Sequence, residues 1–157
     1  MWECGDVGCT ADQLVEVVRE TLTAIRAQKP NMLIIWRNTP AGHPNCSGVT
    51  GPLQSRPTGV VGKKWEKYEE QNEVLRGLAR EFGMVYMDVD TPTSYRADGH
   101  HLLPDRSYDC HHYCAPGPID HWVSLLHNVL IVLEKGRVKY GNPTRGGVVR
   151  ADQAIAE

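Results

Sequence analysis

The stretch Lys29-Pro30-Asn31-Met32-Leu33-Ile34-Ile35-Trp36 decides the fold. A proline restricts the residue before it to extended backbone, so a helix leading into this stretch stops there. Residues 32–36 then form a continuous apolar run of strand length, the pattern of a central strand covered on both faces. Upstream, Thr10 stands three residues before Gln13, the form of a capping box, and Leu14, Val17, Val18, Leu22 and Ile25 recur at helical spacing. The spacing predicts a helix over about residues 11–28 that feeds directly into the strand.

The same unit repeats downstream. Residues 64–82 read as a helix with Trp65, Tyr68, Asn72, Leu75, Leu78, Ala79 and Phe82 along one side, and Gly83 fits its C-terminal position. Met84-Val85-Tyr86-Met87-Asp88 follows as a second strand. Two successive helix-to-strand units predict an α/β layered fold with a parallel sheet. A last helix is expected after Pro118-Ile119, with Asp120 as N-cap and Trp122, Leu125, Leu126, Val129, Leu130 and Leu133 as its apolar face.

Two segments without sustained period, residues 37–61 and 89–120, read as long loops leaving the strand ends. Loops beyond about 12–15 residues inside a compact domain are usually functional or mobile. In open parallel sheets, ligands bind at the carboxyl ends of the strands. Arg37, Asn38 and His43 therefore stand where a substrate is expected. Arg37 is the strongest of these, because a guanidinium at a strand end needs an acidic partner or a substrate oxygen.

Composition narrows the class. The 157 residues suit one domain, expected over residues 1–135, with a polar, Gly-rich and disordered tail over 136–157. A 41% hydrophobic and 23% charged chain is ordinary for a globular protein, and a net charge of -2 without a basic stripe gives no sign of a nucleic-acid partner. No apolar run approaches the roughly 20 residues of a membrane span. The N-terminus lacks the basic flank and apolar core of a signal peptide. It also opens on Trp2, Cys4 and Gly5, unusual residues for a frayed end, which raises the expectation that the chain is the rear part of something longer.

The densest chemistry lies in Asp109-Cys110-His111-His112-Tyr113-Cys114-Ala115-Pro116-Gly117-Pro118. Packing alone rewards apolar periodicity, and this run has none. Asp109 and His112, three apart, have the residue types of an acid and base: a carboxylate holds one imidazole tautomer so that the other ring nitrogen accepts a proton. The competing reading makes His111 and His112 polar loop residues beside a disulfide. Zinc is not favoured, because Cys110 and Cys114 lack a second paired motif and the histidines miss finger spacing. Five cysteines, an odd count, favour disulfides in an oxidising compartment over reduced thiols, with connectivity open. In Arg96-Ala97-Asp98-Gly99-His100, an Arg96–Asp98 ion pair holding the loop competes with a site role for Arg96 and His100.

Arg96-x-Asp98-x-His100, followed by Asp109-Cys110-x-His112-Tyr113-Cys114-x-Pro116-Gly117-x-x-Asp120-x-Trp122-x-x-Leu125-Leu126, resembles the C-terminal signature of the PC-esterase, or trichome birefringence-like, branch of the SGNH/GDSL hydrolases. The segment from Trp36 through Arg37, Thr39, Pro40 and His43 is similar to a stretch lying upstream in that family. The resemblance implies a three-layer α/β/α, flavodoxin-like parallel-sheet fold without its N-terminal strands. It also implies polysaccharide O-acyl transfer or esterase chemistry by a Ser-His-Asp triad in the secretory pathway, Golgi or extracellular, with a glycan or acylated carbohydrate as substrate and no metal or cofactor. In that reading Asp109 and His112 are the triad's acid and base, and Arg37, Asn38, His43, Arg96 and His100 are substrate-binding. Cys46, Cys110 and Cys114 become disulfide candidates.

One departure follows directly from the sequence. The family's serine lies in a Gly-Asp-Ser motif on the first strand, and this sequence contains none; Gly5-Asp6 is followed by Val7. Ser47, Ser55, Ser94, Ser107 and Ser124 lie in no nucleophile-like turn. The expectation is the acid-base portion of an acyltransferase or esterase, inactive alone, with a non-catalytic glycan-binding or structural remnant as the alternative.

Overall fold

The computed structural model describes residues 10–57, 66–103 and 107–135. The first described helix, α1, spans Ala11–Gln28. Its capping box is formed in both directions: the Thr10 hydroxyl accepts from the Gln13 N–H at 3.2 Å, and Gln13 Oε1 accepts from the Thr10 N–H at 3.0 Å. Such a cap is worth about 1 kcal/mol. At the other end, the Arg26 guanidinium donates to the carbonyls of Met32 (2.6 Å) and Phe82 (2.9 Å). It thereby ties the turn before the first strand to the turn before the second.

Strand β1 is Ile35–Arg37, helix α2 is Glu66–Glu81 and strand β2 is Val85–Met87. Gly83 stands at φ 58°, the left-handed conformation that ends α2 and lets the Met84 N–H reach back to the Ala79 carbonyl at 2.8 Å. The strands pair in parallel, Ile35 with Val85, Trp36 with Tyr86 and Arg37 with Met87.

Alternation along these strands feeds two cores. Val18 and Leu22 of α1 and Leu75, Leu78 and Ala79 of α2 bury against Met84 and Tyr86, with Ile34 and Trp36 beside them. Val85, Met87 and Val89 bury against Leu125 and Val129, with Ile35 and Trp122 beside them. The two-stranded sheet is thus covered on one face by α1 and α2 and on the other by the last described helix, α4, Pro118–Glu134. The chain is a mixed α/β protein with small sheets.

Five sequence expectations are corrected. Met32 and Leu33 are exposed, at 40% and 41%, and the strand begins at Ile35, because only that stretch lies opposite Val85–Met87 in the ladder. β1 is half-buried rather than covered throughout; among the described residues no strand pairs with its other edge. The segment after β2 is not a structureless loop. It holds a one-turn helix α3 (Asp90–Thr93), a 3-10 turn (Ala97–Gly99) and a hairpin of β3 (His101–Leu102) and β4 (Tyr108–Asp109), elements too short to carry a period. Finally, α4 begins at Pro118 with Gly117 as N-cap, so Asp120 sits one turn inside, where its carboxylate accepts from the Gly117 N–H at 2.5 Å.

On α4, Leu126 and Leu130 of the expected apolar face are exposed, at 37% and 45%. That apolar face is wider than the two strands can cover. The expected tail over 136–157 and the start of the expected second helix, Lys64 and Trp65, lie outside the described residues.

Candidate active site

The loop leaving β1 is anchored at three points. Asn72 of α2 is buried and grips Thr39 in both directions: its Oδ1 accepts from the Thr39 N–H at 2.9 Å and its Nδ2 donates to the Thr39 carbonyl at 2.8 Å. Further along, Cys46 is disulfide-bonded to Cys110, next to Asp109, and the His43 N–H donates to the Cys110 carbonyl at 3.0 Å. Of the three cysteine candidates, Cys114 carries a free thiol. Cys4 and Cys9 lie outside the described residues.

Asp109 ends β4, and the turn beyond it closes around its carboxylate. Oδ1 accepts from the backbone N–H groups of His111 (3.0 Å) and His112 (3.1 Å), while Oδ2 lies 2.7 Å from His112 Nδ1. Burial alone would raise the Asp109 pKa. The hydrogen bonds from the His112 backbone and side chain and the His111 backbone outweigh it and hold the carboxyl well below the usual carboxylate range. An ionised carboxylate accepts only, so His112 Nδ1 bears the proton and Nε2 is the ring's basic nitrogen. The His112 side chain is 74% exposed against 19% for Asp109. The pair has the geometry of a general base backed by its orienting acid, on an open surface.

The remaining sequence candidates divide by burial. Arg37 is exposed at the end of β1, with its guanidinium 5.4 Å from the centre of the Trp122 ring. Trp122 in turn packs edge-on against Tyr113 and donates its Nε1–H to Thr93 Oγ1 at 2.8 Å. Arg96 forms the bidentate ion pair with Asp98, at 2.8 and 3.0 Å, that the sequence offered as its alternative.

Asn38, His43 and His100 are buried, at 2%, 3% and 8% exposure, with their polar atoms engaged inside the protein. Asn38 Oδ1 accepts from the Val89 and Asp90 N–H groups at 2.8 and 3.0 Å, and its Nδ2 donates to Asp88 Oδ1 at 2.9 Å, tying the ends of β1 and β2 together. His43 and His100 meet each other and Tyr113 beneath the Asp109–His112 turn. Tyr113 was not singled out as a site residue; its one sequence signal is an aromatic ring adjoining the acid-base run.

No serine hydroxyl among the described residues hydrogen-bonds to His112. Ser94 is buried and donates to the Thr91 carbonyl, and Ser124 donates to the Asp120 carbonyl within α4. Among the described residues no group of three or more His, Cys, Asp or Glu is placed to hold a metal ion. No described helix is long and apolar enough to cross a membrane.

Residues 15–129 of this chain match one family model, "PC-Esterase: GDSL/SGNH-like Acyl-Esterase family found in Pmr5 and Cas1p". The chain belongs to this PC-esterase family. Similar relatives in Arabidopsis thaliana include Protein trichome birefringence-like 42, 32% identical over 90 residues that cover 55% of this chain and 24% of the relative. Protein trichome birefringence-like 20 is 30% identical over 105 residues (58% and 22%), and Protein trichome birefringence-like 36 is 26% identical over 100 residues (55% and 26%). The PC-esterase chain therefore spans about a quarter of the length of these curated relatives. No solved structure matches it.

Proposed function

We propose that this PC-esterase chain carries the acid-base portion of a Ser-His-Asp acyltransferase or esterase acting on acylated glycans, with the nucleophilic serine supplied by polypeptide outside the 157 residues. The observation that carries the reading is the 2.7 Å contact between Asp109 Oδ2 and His112 Nδ1, which leaves Nε2 basic on an exposed ring. His112 Nε2 takes the proton of a serine hydroxyl as that oxygen attacks an acyl carbonyl, and returns it to the departing alcohol. A glycan hydroxyl or water, deprotonated in the same way, then attacks the acyl-serine, whose ester bond breaks as the serine oxygen leaves and recovers its proton from His112. Asp109 remains ionised throughout and steadies the imidazolium formed in each half.

Arg37 is the substrate-facing cation under this reading, held against Trp122 and able to donate to a carboxylate or sugar oxygen. Arg96, occupied by Asp98, shapes the loop beside it. Asn38, His43 and His100 act from below as supports. The helices on both faces of the β1–β2 sheet form part of a three-layer α/β/α fold whose further strands add to the edge of β1. The working compartment is the secretory pathway, Golgi or extracellular, where a disulfide such as Cys46–Cys110 persists.

The chain alone then lacks covalent catalysis. Mixed with an activated acetyl ester, the purified 157-residue protein is expected to give no stoichiometric burst of leaving group. A burst of one equivalent would show that the chain contains its own nucleophile and sink the reading.

A further inference from the structure

The two buried histidines beneath the turn pose a problem of proton accounting. His43 Nε2 lies 2.9 Å from the Ser94 carbonyl oxygen, and a carbonyl only accepts, so this nitrogen bears hydrogen. His100 Nδ1 lies 2.6 Å from the His112 carbonyl oxygen and bears hydrogen for the same reason. The two nitrogens left over, His43 Nδ1 and His100 Nε2, face each other at 2.9 Å. In two neutral rings both would present lone pairs across that distance, a repulsive contact with no hydrogen bond in it. Tyr113, whose hydroxyl oxygen is 3.2 Å from His43 Nδ1, does not supply the missing proton, because it donates to the Ala41 carbonyl. One more ring proton satisfies every contact.

We infer that His43 and His100 share a single proton between Nδ1 of the first and Nε2 of the second, and that this imidazole–imidazolium pair fixes the His112 backbone under the acid-base site. The second clause rests on the reading of His112 as the general base. The path is short: the shared proton orients the His100 ring, and the opposite nitrogen of that ring holds the His112 carbonyl. His43 and His100 are positioning residues in this scheme. They do not touch the reacting atoms.

The charged and titratable surroundings are Asp98 of the 3-10 turn with its partner Arg96, Asp109 of β4, and the Tyr113 hydroxyl. Burial lowers the pKa of both imidazoles; Asp98 works against this at His43, and Asp109 does so at His100. His100 also feels the charge of His43, and two cationic rings at this distance would repel, so the cluster takes one extra proton and not two. As pH rises that proton leaves the pair as a unit. The facing nitrogens then repel, and the His100 grip on His112 loosens.

The test is a pH titration of the full 157-residue chain, carrying 15N-labelled histidine, by NMR of the ring nitrogens. The expected result at the acid end is one hydrogen on His43 Nε2, one on His100 Nδ1, and a third coupled to both His43 Nδ1 and His100 Nε2, lost from the two rings in one common step. Two neutral rings in contact at every pH, or two independent steps, would overturn the shared proton. For the positioning role, His100→Asn keeps a donor near the place of Nδ1, whereas His100→Leu removes it. The His112 carbonyl 13C resonance is expected to be alike in wild type and His100→Asn and to move in His100→Leu, where the hydrogen bond to it is lost. An unchanged carbonyl resonance in all three would overturn that role. Should either variant unfold, hydrogen-bond coupling from His100 Nδ1–H to the His112 carbonyl in the wild type decides it, its absence counting against. None of these readouts involves acyl transfer. Catalysis independent of His112 beside an intact pair would sink the proposed function, while separate titration beside His112-dependent transfer would sink only the shared proton.

Discussion

Asp109 accepts two backbone hydrogen bonds with one oxygen and holds His112 with the other, so its charge serves the loop and the imidazole together. Asp109→Asn is expected to cost roughly 1.5–3 kcal/mol, the usual worth of hydrogen bonds to a charged group. In a catalytically complete protein it would also favour the wrong His112 tautomer and lower turnover by about 10⁴. The pH dependence has a definite sign. The folded carboxyl titrates below its unfolded value, so its contribution to stability is full above the ordinary carboxylate range and is lost as pH falls toward the folded value. Thermal unfolding at pH 7 and pH 3 should therefore differ less in Asp109→Asn than in wild type. At Asn38, an alanine leaves the Val89 and Asp90 N–H groups without their shared acceptor. A loss of roughly 3 kcal/mol is expected in denaturant unfolding. The contact between Asp109 and His112 could be anticipated from residue types and spacing. The depth of Asn38, His43 and His100 was not, because polar residues go under only when partners distant in sequence satisfy them, and those partners are set by the fold.

At the scale of elements, the helices were readable because each repeats its apolar residues along one face, and α1 matched its expected range at both ends. The pieces between β2 and α4 escaped because elements of two to four residues carry no period. Close packing there makes a sharp contrast between two glycines. A Cβ on Gly99 would stand 2.7 Å from Pro118 Cγ and 3.2 Å from Tyr113 Cδ1, wedging the 3-10 turn away from the start of α4 and from the ring beneath the site. Gly77 lies inside α2 with open space around the same position. Gly99→Ala is expected to destabilise by about 1–3 kcal/mol through overpacking, and Gly77→Ala to stabilise by about 0.5–1 kcal/mol through helix propensity. Equal melting temperatures for the two variants would contradict this packing.

For the whole molecule, the Cys46–Cys110 disulfide spans 64 residues of sequence and joins the loop after β1 to the Asp109–His112 turn. Closing a loop of that size stabilises by about 4 kcal/mol in the chain-entropy model, so a Cys46→Ser, Cys110→Ser double variant should lose most of that amount in denaturant unfolding. That pairing could not be read from spacing, since five cysteines allow several connectivities and only the folded chain brings these two together. The parallel α/β arrangement was legible; the breadth of the sheet was not, because the strand stretches fix what pairs locally and leave the other edge of β1 open. The central claim, that Asp109 and His112 serve a serine outside these residues, is tested most directly by joining this chain to the upstream portion of a relative such as Protein trichome birefringence-like 42 and measuring the acyl-enzyme burst with His112 intact and with His112→Ala. The account predicts a burst approaching one equivalent in the first and none in the second. A burst of equal amplitude and rate in both would contradict it.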